Sequence, residues 1–337
     1  MNAFSDILVS VVMPVYNGAL YLREAIDSIL TQTHTNLELI IINDGSSDNS
    51  EEIILSYDDS RIRYFVNEKN NGICVTLNKG LDAAQGIYIA RMDCDDISVP
   101  ERLQKQVEYM ELHSSVGVLG SDIIVFGEGI EERLFSFEHD KYCCKAGLLF
   151  HTCFAHPVVM IRKSLLDEHK LRYDDEYRGL EDFELWYRIS KHTDLVNLPY
   201  PLLQYRKHKS QETQNVSSNV VSKLKDFLFN RVTEFISIGE EEFAIVDSYA
   251  NGGWNTFNNE NICTLLNVFT RIIYSRKVAQ DKSFKRAMQI TLSKALVYAI
   301  NNSKSITIPK RKLYMRSLKS GIMPLDWYIK FMYHTFV

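Results

Sequence analysis

The sequence predicts an α/β protein with a mostly parallel, Rossmann-like sheet, helices on both faces and a helical C-terminal region. Short apolar runs rich in β-branched residues, such as 7–14 and 37–42, alternate with helical patterns in the first hundred residues. Strands that are apolar on both sides are typical of a parallel sheet covered on both faces. Strand signals fade after about residue 211, where helical patterns continue to the end.

Each element follows from a local pattern. Leu22, Ile26 and Ile29 share one face of a helix. Ser46 and Ser47 suit the start of the next helix, and Pro100 suits a first helical turn. We expect strands at 7–14, 37–42, 63–66, 88–92 and 116–125, a strand turning into a helix at 156–165, and helices at 21–31, 48–57, 73–84, 100–113, 178–192, 220–237, 262–275 and 283–300. We divide the chain into the ranges 1–115, 116–210 and a helical region, 211–337.

Composition excludes several classes of protein. Of 337 residues, 45% are apolar and 11% aromatic, which is too many for a disordered chain, and 15 Gly and 7 Pro are too few for a fibrous one. A net charge of -5 argues against nucleic acid as a partner. The six cysteines form no C-x-x-C pair, so we expect reduced, buried thiols.

The N-terminus lacks the basic and apolar regions of a signal peptide, and no apolar stretch is long enough to span a membrane. We therefore expect a cytoplasmic protein, at most peripheral on a membrane. The segment 301–337 contains seven Lys and Arg residues against one acid, interleaved with apolar and aromatic residues. Two interpretations stay open for it: a membrane-binding surface and a solvated helical face.

Polar clusters follow three predicted strands, at 14–18, 43–48 and 93–96. Ligands of an open α/β sheet bind beyond the carboxyl ends of the strands. Three carboxylates within 93–96 repel one another unless a cation is present, which points to Mg²⁺ or Mn²⁺. The absence of G-x-G-x-x-G and of G-x-x-x-x-G-K-[ST] argues against a dinucleotide dehydrogenase and a P-loop enzyme. A bound diphosphate would therefore be neutralised mainly by the metal.

The motifs MPVYNG, SILTQTHTNLELIIINDGSSDNS, NNGICVTLNKGLDAAQGIYIARMDCDDISVPERL and GLEDFELWYRI together resemble the family 2 glycosyltransferases of GT-A fold. The resemblance runs from about residue 9 to 208, and YRKHKSQ with the helical tail resembles bacterial lipopolysaccharide and surface-polysaccharide β-glycosyltransferases. It implies inverting, metal-dependent transfer from a nucleotide sugar, namely UDP-linked galactose, glucose or one of their N-acetyl forms. The implied acceptor is a glycan or an undecaprenyl-diphosphate-linked hydroxyl at the cytoplasmic face of the inner membrane, in O-antigen, lipopolysaccharide or capsule synthesis.

The resemblance also implies that 1–115 is the nucleotide-sugar-binding half and 116–210 the acceptor-binding and catalytic-base half of one GT-A domain, and it assigns roles to residues. Tyr16 would stack on uracil, Asp44 would accept from its N3–H, and Asp182 would be the catalytic base. The nucleotide-binding set is Pro14, Tyr16, Asn17, Asp44, Asn71, Asn78, Asp93 and Asp95. Asp95 and His208 would hold the metal, and Glu181 and Asp96 would orient groups or bind acceptor. Three positions depart from the family pattern: Thr76-Leu77 replace its Ala-Arg, and Asn43 replaces an Asp.

Chemistry agrees with the role of Asp182, because a carboxylate can remove the proton of an acceptor hydroxyl as the glycosidic bond forms. Taken alone, Glu181 and Asp182 are also typical of an ordinary helix start, and His208 of a structural histidine. A sugar-nucleotide pyrophosphorylase would need a Gly-rich basic loop after the first strand, which is absent. The remaining alternative is a catalytically inactive, transferase-like module that binds nucleotide sugars.

Overall fold

The computed structural model describes residues 4–209, 211 and 218–326. The chain forms two compact units. The first comprises Met1–Lys141 and Thr152–Val220, and the second comprises Tyr142–His151 and Val221–Val337. No sequence pattern indicated that the segment Tyr142–His151 belongs with the helical unit. The predicted boundaries at 115/116 and 210/211 separate parts of the chain that differ in expected function, so they stay predictions.

The described part of the first unit contains one nine-stranded sheet in the order β3-β2-β1-β4-β8-β6-β9-β5, with β7 paired to β6. The strands are β1 (Val9–Val15), β2 (Leu37–Asn43), β3 (Ile62–Val66), β4 (Tyr88–Arg91), β5 (Ile97–Ser98), β6 (Val116–Gly127), β7 (Ile130–Phe135), β8 (Met160–Arg162) and β9 (Asp194–Lys207). The helices are α1 (Leu22–Leu30), α2 (Ser50–Leu55), α3 (Ile73–Ala83), α4 (Arg102–Leu112), α6 (Lys163–Glu168) and α7 (Glu181–Ile189).

Strands β3, β2, β1 and β4 are all parallel, as the sequence predicts. Every residue of β1 and β2 is buried, because helices cover both faces. The register pairs Val15 with Asn43 and Val12 with Arg91. The polar clusters that follow β1, β2 and β4 therefore meet at one edge of the sheet.

The other half of the sheet is mixed. Strand β8 runs antiparallel to β4 and β6, whereas β9 runs parallel to β6. No pattern predicted β9, because Pro199 and Pro201 interrupt its sequence. The register explains how they are tolerated: Leu198 pairs with Ser121 and Pro201 with Asp122, so Pro199 and Tyr200 are bulged out.

The two-residue strand β5 connects the acidic cluster to the end of β9. Ile97 pairs with Gln204 and Ser98 with Leu203, in antiparallel register. Residues 95–96 therefore lie beside residues 206–208, more than 100 positions away along the chain.

The second unit is helical where the structure describes it. Its core is formed by side chains such as Val246, Phe269, Leu296 and Leu313. The predicted helices at 220–237, 262–275 and 283–300 are confirmed, whereas α9 and α13 were not predicted. The helices are α5 (Lys141–Gly147), which begins in the first unit, α8 (Ser218–Thr233), α9 (Glu240–Ala250), α10 (Asn259–Ile273), α11 (Arg276–Ala279), α12 (Lys282–Asn302) and α13 (Lys310–Lys319). Among the described residues, no helix is long and apolar enough to cross a membrane.

Candidate functional site

An acidic cluster follows strand β4. One carboxylate oxygen from each of Asp93, Asp95 and Asp96 lies within 4.8 Å of the others. The three carboxylates have different partners. Asp93 forms an ion pair with Arg91, Asp95 lies against His208, and Asp96 accepts from the backbone of Arg206.

Arg91 is the cation beneath this cluster. Its side chain is buried, and its Nη1 pairs with Oδ2 of Asp93. Burial alone would lower the pKa of Arg91, but the negative charge of Asp93 and its hydrogen bond to the guanidinium raise that pKa above the usual value. The guanidinium therefore stays positive and fixes the direction of the Asp93 carboxylate.

A second buried guanidinium supports the first. Nη2 of Arg102 donates to the carbonyl of Arg91 at 2.7 Å, and Nε of Arg102 donates to Oε1 of Gln106 at 3.1 Å. Burial and then the charge of Arg91 lower the pKa of Arg102 to about 9. Helix α4 thus anchors the end of β4 through a single side chain.

Asp96 is the carboxylate whose environment fits a cation best. The residue is fully buried, and its Oδ1 accepts from the Arg206 N–H at 2.8 Å. Its Oδ2 has no hydrogen-bond partner among the residues that the structure describes. Burial, then Asp93 and Asp95, raise the pKa of Asp96 well above its usual value. Together the three carboxylates are a donor set that a hard divalent cation prefers.

The end of β9 lies against the cluster. Nε of Arg206 donates to the Asp95 carbonyl at 2.8 Å, and its guanidinium stacks between the rings of Tyr21 at 4.4 Å and Phe126 at 4.6 Å. Nε2 of His208 lies 2.8 Å from Oδ2 of Asp95. The predicted pair Asp95 and His208 is therefore brought together.

Asp44 holds the loop that precedes α3. Oδ1 of Asp44 accepts from Asn67 Nδ2 at 2.7 Å and from the Asn71 N–H at 2.9 Å. Oδ2 accepts from the Gly72 N–H at 2.9 Å. Gly72 has φ +91°, which favours glycine, and a Cβ there would lie 2.2 Å from Nη2 of Arg178.

The loop after β1 presents Tyr16, whose side chain is 49% exposed. Asn17 has φ +50°, and its side-chain oxygen accepts from the Ser47 N–H at 2.8 Å while its own N–H donates to Ser46 Oγ at 3.0 Å. These contacts tie the loop after β1 to the loop after β2 and leave the Tyr16 ring accessible.

Three residues of the predicted nucleotide set have internal contacts. Pro14 is buried in β1, where it pairs with Ile42. The Asn71 carbonyl accepts from Arg178 at 3.0 Å. Both ends of the Asn78 amide bond the backbone of Tyr173, with Nδ2 donating at 2.8 Å and Oδ1 accepting at 2.9 Å. These contacts show how the residues shape the loops, and their binding of nucleotide stays a prediction.

Asp182 lies in the first turn of α7 and is half-buried. Its Oδ1 accepts from the Phe183 N–H at 2.7 Å. Burial, and then the neighbouring charge of Glu181, raise the pKa of Asp182 to about 7, while Arg91 opposes the rise. Glu181 accepts from the Gly179 N–H at 2.5 Å. A carboxylate with a pKa near neutrality is suited to accept and release a proton at physiological pH.

Trp186 of this helix belongs to a cluster of ring-containing side chains. Nε2 of His156 lies 2.8 Å from Oη of Tyr173, and the imidazole packs edge-on against the buried ring of Trp186. Burial and then Arg91 lower the pKa of His156 well below its usual value, so the imidazole is neutral. Within the described part of the chain, Nε1 of Trp186 has no hydrogen-bond partner.

Sequence reasoning missed Arg91, Tyr173 and Arg178. Arg91 lies within a quoted motif but was given no role, and Tyr173 lies outside the quoted motifs and contacts the distant residues Asn78 and His156. Arg178 lies four residues before Asp182, and only the structure shows that it reaches the loop at 71–72.

Comparisons with known proteins are consistent with this geometry. Residues 10–169 match the family model for glycosyl transferase family 2. The chain is 37% identical over 219 residues to an uncharacterized glycosyltransferase of Haemophilus influenzae, covering 60% of this chain and 67% of that one. Its structure is similar to the crystal structure of S. aureus TarS 1–349 in complex with UDP-GlcNAc, with a TM-score of 0.58, 15% identity and coverage of 97% and 92%. It is also similar to the mannosyltransferase PcManGT from Pyrobaculum calidifontis in complex with GDP-Man and Mn²⁺, with a TM-score of 0.53, 15% identity and coverage of 87% and 86%.

Proposed function

Because the chain belongs to glycosyl transferase family 2, we propose that it transfers a sugar from a UDP-linked donor to an acceptor hydroxyl with inversion. The chain is a glycosyltransferase of GT-A fold, as its sequence predicted. The donor base, the metal, the acceptor and the residue roles are the proposed parts. The observation that supports the reaction most strongly is the half-buried Asp182, whose pKa of about 7 suits a general base.

The reaction needs one proton acceptor. The acceptor oxygen attacks the anomeric carbon of the donor as the bond from that carbon to the diphosphate oxygen breaks. The hydroxyl proton passes to the carboxylate of Asp182, and the nucleoside diphosphate leaves with the bonding electrons. Attack from the face opposite the leaving group converts an α-linked donor into a β-glycoside. Glu181 contributes by raising the pKa of Asp182 towards the working pH.

The number of hydrogen-bond acceptor positions left on the Asp44 carboxylate supports a sugar nucleotide whose base is uracil. A carboxylate offers about four acceptor positions. Oδ1 already accepts two hydrogen bonds and Oδ2 accepts one, from Gly72. One position remains, which matches the single N3–H of uracil, whereas guanine presents two adjacent donors on the corresponding edge. The exposed ring of Tyr16 would stack on the base.

The acidic cluster fits Mn²⁺ or Mg²⁺. Asp95 and His208 would hold the ion, and one carboxylate oxygen from each of Asp93 and Asp96 lies within 4.8 Å of one from Asp95. When bound, a divalent ion supplies Lewis-acid stabilisation of the charge on the departing diphosphate. Arg91 holds Asp93 in place, and Arg206 holds the backbone of Asp95.

The proposed acceptor is a glycan or an undecaprenyl-diphosphate-linked sugar, and the proposed process is the synthesis of a bacterial surface polysaccharide. We place the reaction at the cytoplasmic face of the inner membrane. The support is the resemblance of residues 205–211 and the helical region to transferases of that kind, together with the basic C-terminal segment. The proposed donor sugar is galactose, glucose or one of their N-acetyl forms.

A panel of nucleotide sugars tests the proposal. The purified chain is incubated with UDP-, GDP- and dTDP-sugars, with and without Mn²⁺, and hydrolysis and thermal stabilisation are measured. We expect a UDP-sugar to give the largest stabilisation and metal-dependent release of UDP. Binding of a UDP-sugar without any turnover would favour the inactive binding module, and a preference for GDP-sugars would contradict the role given to Asp44.

A further inference from the structure

In the sequence of the helical unit, acidic residues predominate in the first part and basic residues in the second. Residues 221–275 contain four Lys and Arg residues and seven acids. Residues 276–326 contain twelve Lys and Arg residues and only two acids, Asp281 and Asp326. The overall charge of -5 hides this contrast. The described part of the helical unit therefore ends in a strongly basic segment.

Helix α13 concentrates this charge on its outer side. Leu313, Tyr314 and Ser317 are buried and form its inner side. The opposite side is exposed and contains Arg311, Lys312, Met315, Arg316 and Lys319. Helical periodicity places Arg311, Met315 and Lys319 in one row, so an apolar side chain lies between two cations.

These cations have few internal partners. Among the described residues, Arg311, Lys312 and Lys319 have no ion-pair partner, and the ion pairs of the unit form elsewhere. Arg316 donates to the sulfur of Cys263 at 3.4 Å. The positive charge on the outer side of α13 is thus available to an external anion.

Apolar groups continue this surface beyond the end of α13. The hydroxyl of Tyr274 lies so close to Gly321 that a Cβ there would be 2.4 Å from it. The Tyr274 side chain is 57% exposed, and Lys285 Nζ lies 4.6 Å from the centre of its ring. We use the name basic-apolar face for Arg311, Lys312, Met315, Lys319 and Tyr274.

We propose that the basic-apolar face binds the surface of a lipid bilayer that contains anionic phospholipid. Charge complementarity selects an anionic partner, because the exposed side of α13 carries no acid. The apolar side chains favour lipid over nucleic acid. Met315 gains nothing from a phosphate backbone, whereas at a bilayer it can enter the boundary between headgroups and acyl chains. Tyr274 has the amphipathic ring that is enriched at that depth.

This inference deepens the membrane location given under the proposed function, because it names the side chains that meet the lipid. Each Lys or Arg near an anionic surface contributes about fivefold in affinity, so reversing three of them should weaken binding at least a hundredfold. Replacing Met315 by Ser should weaken binding by a smaller factor, because one partly exposed side chain buries little area. The contribution of charge should fall as salt is added.

The experiment is sedimentation of the full chain with phosphatidylcholine vesicles, with and without phosphatidylglycerol. The test variant carries Arg311→Glu, Lys312→Glu and Lys319→Glu. The matched control carries Lys105→Glu, Lys170→Glu and Lys225→Glu, three exposed lysines outside the basic-apolar face. We expect the wild type and the control to bind only vesicles that contain phosphatidylglycerol, and the test variant to stay in solution with an unchanged melting temperature.

Three outcomes would overturn the inference: no binding of the wild type to anionic vesicles, equal loss of binding in test and control variants, or tight binding to RNA in place of vesicles. Hydrolysis of a UDP-sugar in solution is measured on the same samples. If hydrolysis is retained while the wild type fails to bind vesicles, the inference fails and the proposed reaction stands. If the wild type binds anionic vesicles but turns over no nucleotide sugar, the membrane inference stands and the proposed reaction fails.

Discussion

Oδ2 of Asp95 lies 2.8 Å from Nε2 of His208, although the two residues are 113 positions apart. The antiparallel pairing of β5 with the end of β9 brings them together. His208 thereby joins a carboxylate of the acidic cluster, and the ring of Tyr21 lies 4.9 Å from its imidazole. An imidazole nitrogen and a carboxylate oxygen are both common ligands of divalent metal ions, so this pair is suited to bind one.

Replacing His208 by Ala should raise the concentration of metal that activity requires. We expect the Mn²⁺ concentration for half-maximal activity to rise about tenfold or more, because a ligand is lost while the carboxylates remain. Titration of Mn²⁺ at saturating donor measures this change. His113→Ala is the control, since His113 is exposed and its ring bonds only within α4. Equal metal requirements for the two variants would show that His208 is not a ligand.

Activity should rise with pH through about 7, because Asp182 must be ionised to accept the proton of the acceptor. Burial raises the pKa of Asp182 above its usual value, so the base is protonated and inactive below this range. Replacing Glu181 by Gln removes the neighbouring negative charge, lowers the pKa of Asp182 and should move the acid limb of the kcat profile to lower pH. Glu168→Gln, at an exposed position of α6, serves as the control. A shift of the acid limb to higher pH would contradict this electrostatic coupling.

Replacing Asp44 by Asn should lower the affinity for UDP about tenfold or more. Asn has one acceptor oxygen, so its amide nitrogen must face either the Gly72 N–H or the N3–H of uracil. Isothermal titration with UDP and with GDP measures the change. We expect the wild type to prefer UDP and the variant to lose most of that preference. Unchanged UDP affinity would remove Asp44 from the base-binding site.

The close approach of Arg178 to Gly72 predicts that Gly72→Ala lowers stability more than Gly129→Ala does. Gly72→Ala should lower the free energy of unfolding by about 1–3 kcal/mol, through its positive φ and the clash of Cβ with the guanidinium. Gly129→Ala is the matched control: its φ is +71°, but no heavy atom lies within 4 Å of the added Cβ. Urea denaturation measures both variants. Adding Arg178→Ala to Gly72→Ala should recover part of the loss, and no recovery would show that the clash is not its cause.

The sequence predicted the parallel half of the sheet well, because continuously apolar strands, helix-start residues and polar strand ends are local patterns. The edge formed by the loops after β1, β2 and β4 follows from parallel pairing alone. Local patterns were therefore enough to place Asp44, Asp93 and Asp95 near this edge and Asp182 at a helix start.

The other half depends on interactions that no local pattern contains. Strand β9 is long but holds two prolines, and only the bulge at Pro199 and Tyr200 reconciles them with pairing to β6. Arg91 has the pattern of an ordinary polar residue at a strand end, yet it is buried and forms an ion pair with Asp93. The Trp327, Tyr328 and Phe331 of the predicted basic, aromatic tail lie outside the described residues.

Replacing Asp182 by Asn tests the central claim most directly. The account predicts that transfer from the UDP-sugar falls by at least a hundredfold, since general-base catalysis contributes about 10²–10⁴ in rate. UDP affinity should stay within about twofold of the wild type, because the residues proposed to bind UDP are unchanged. Retained turnover in a variant that still binds UDP would contradict the assignment of Asp182 as the base.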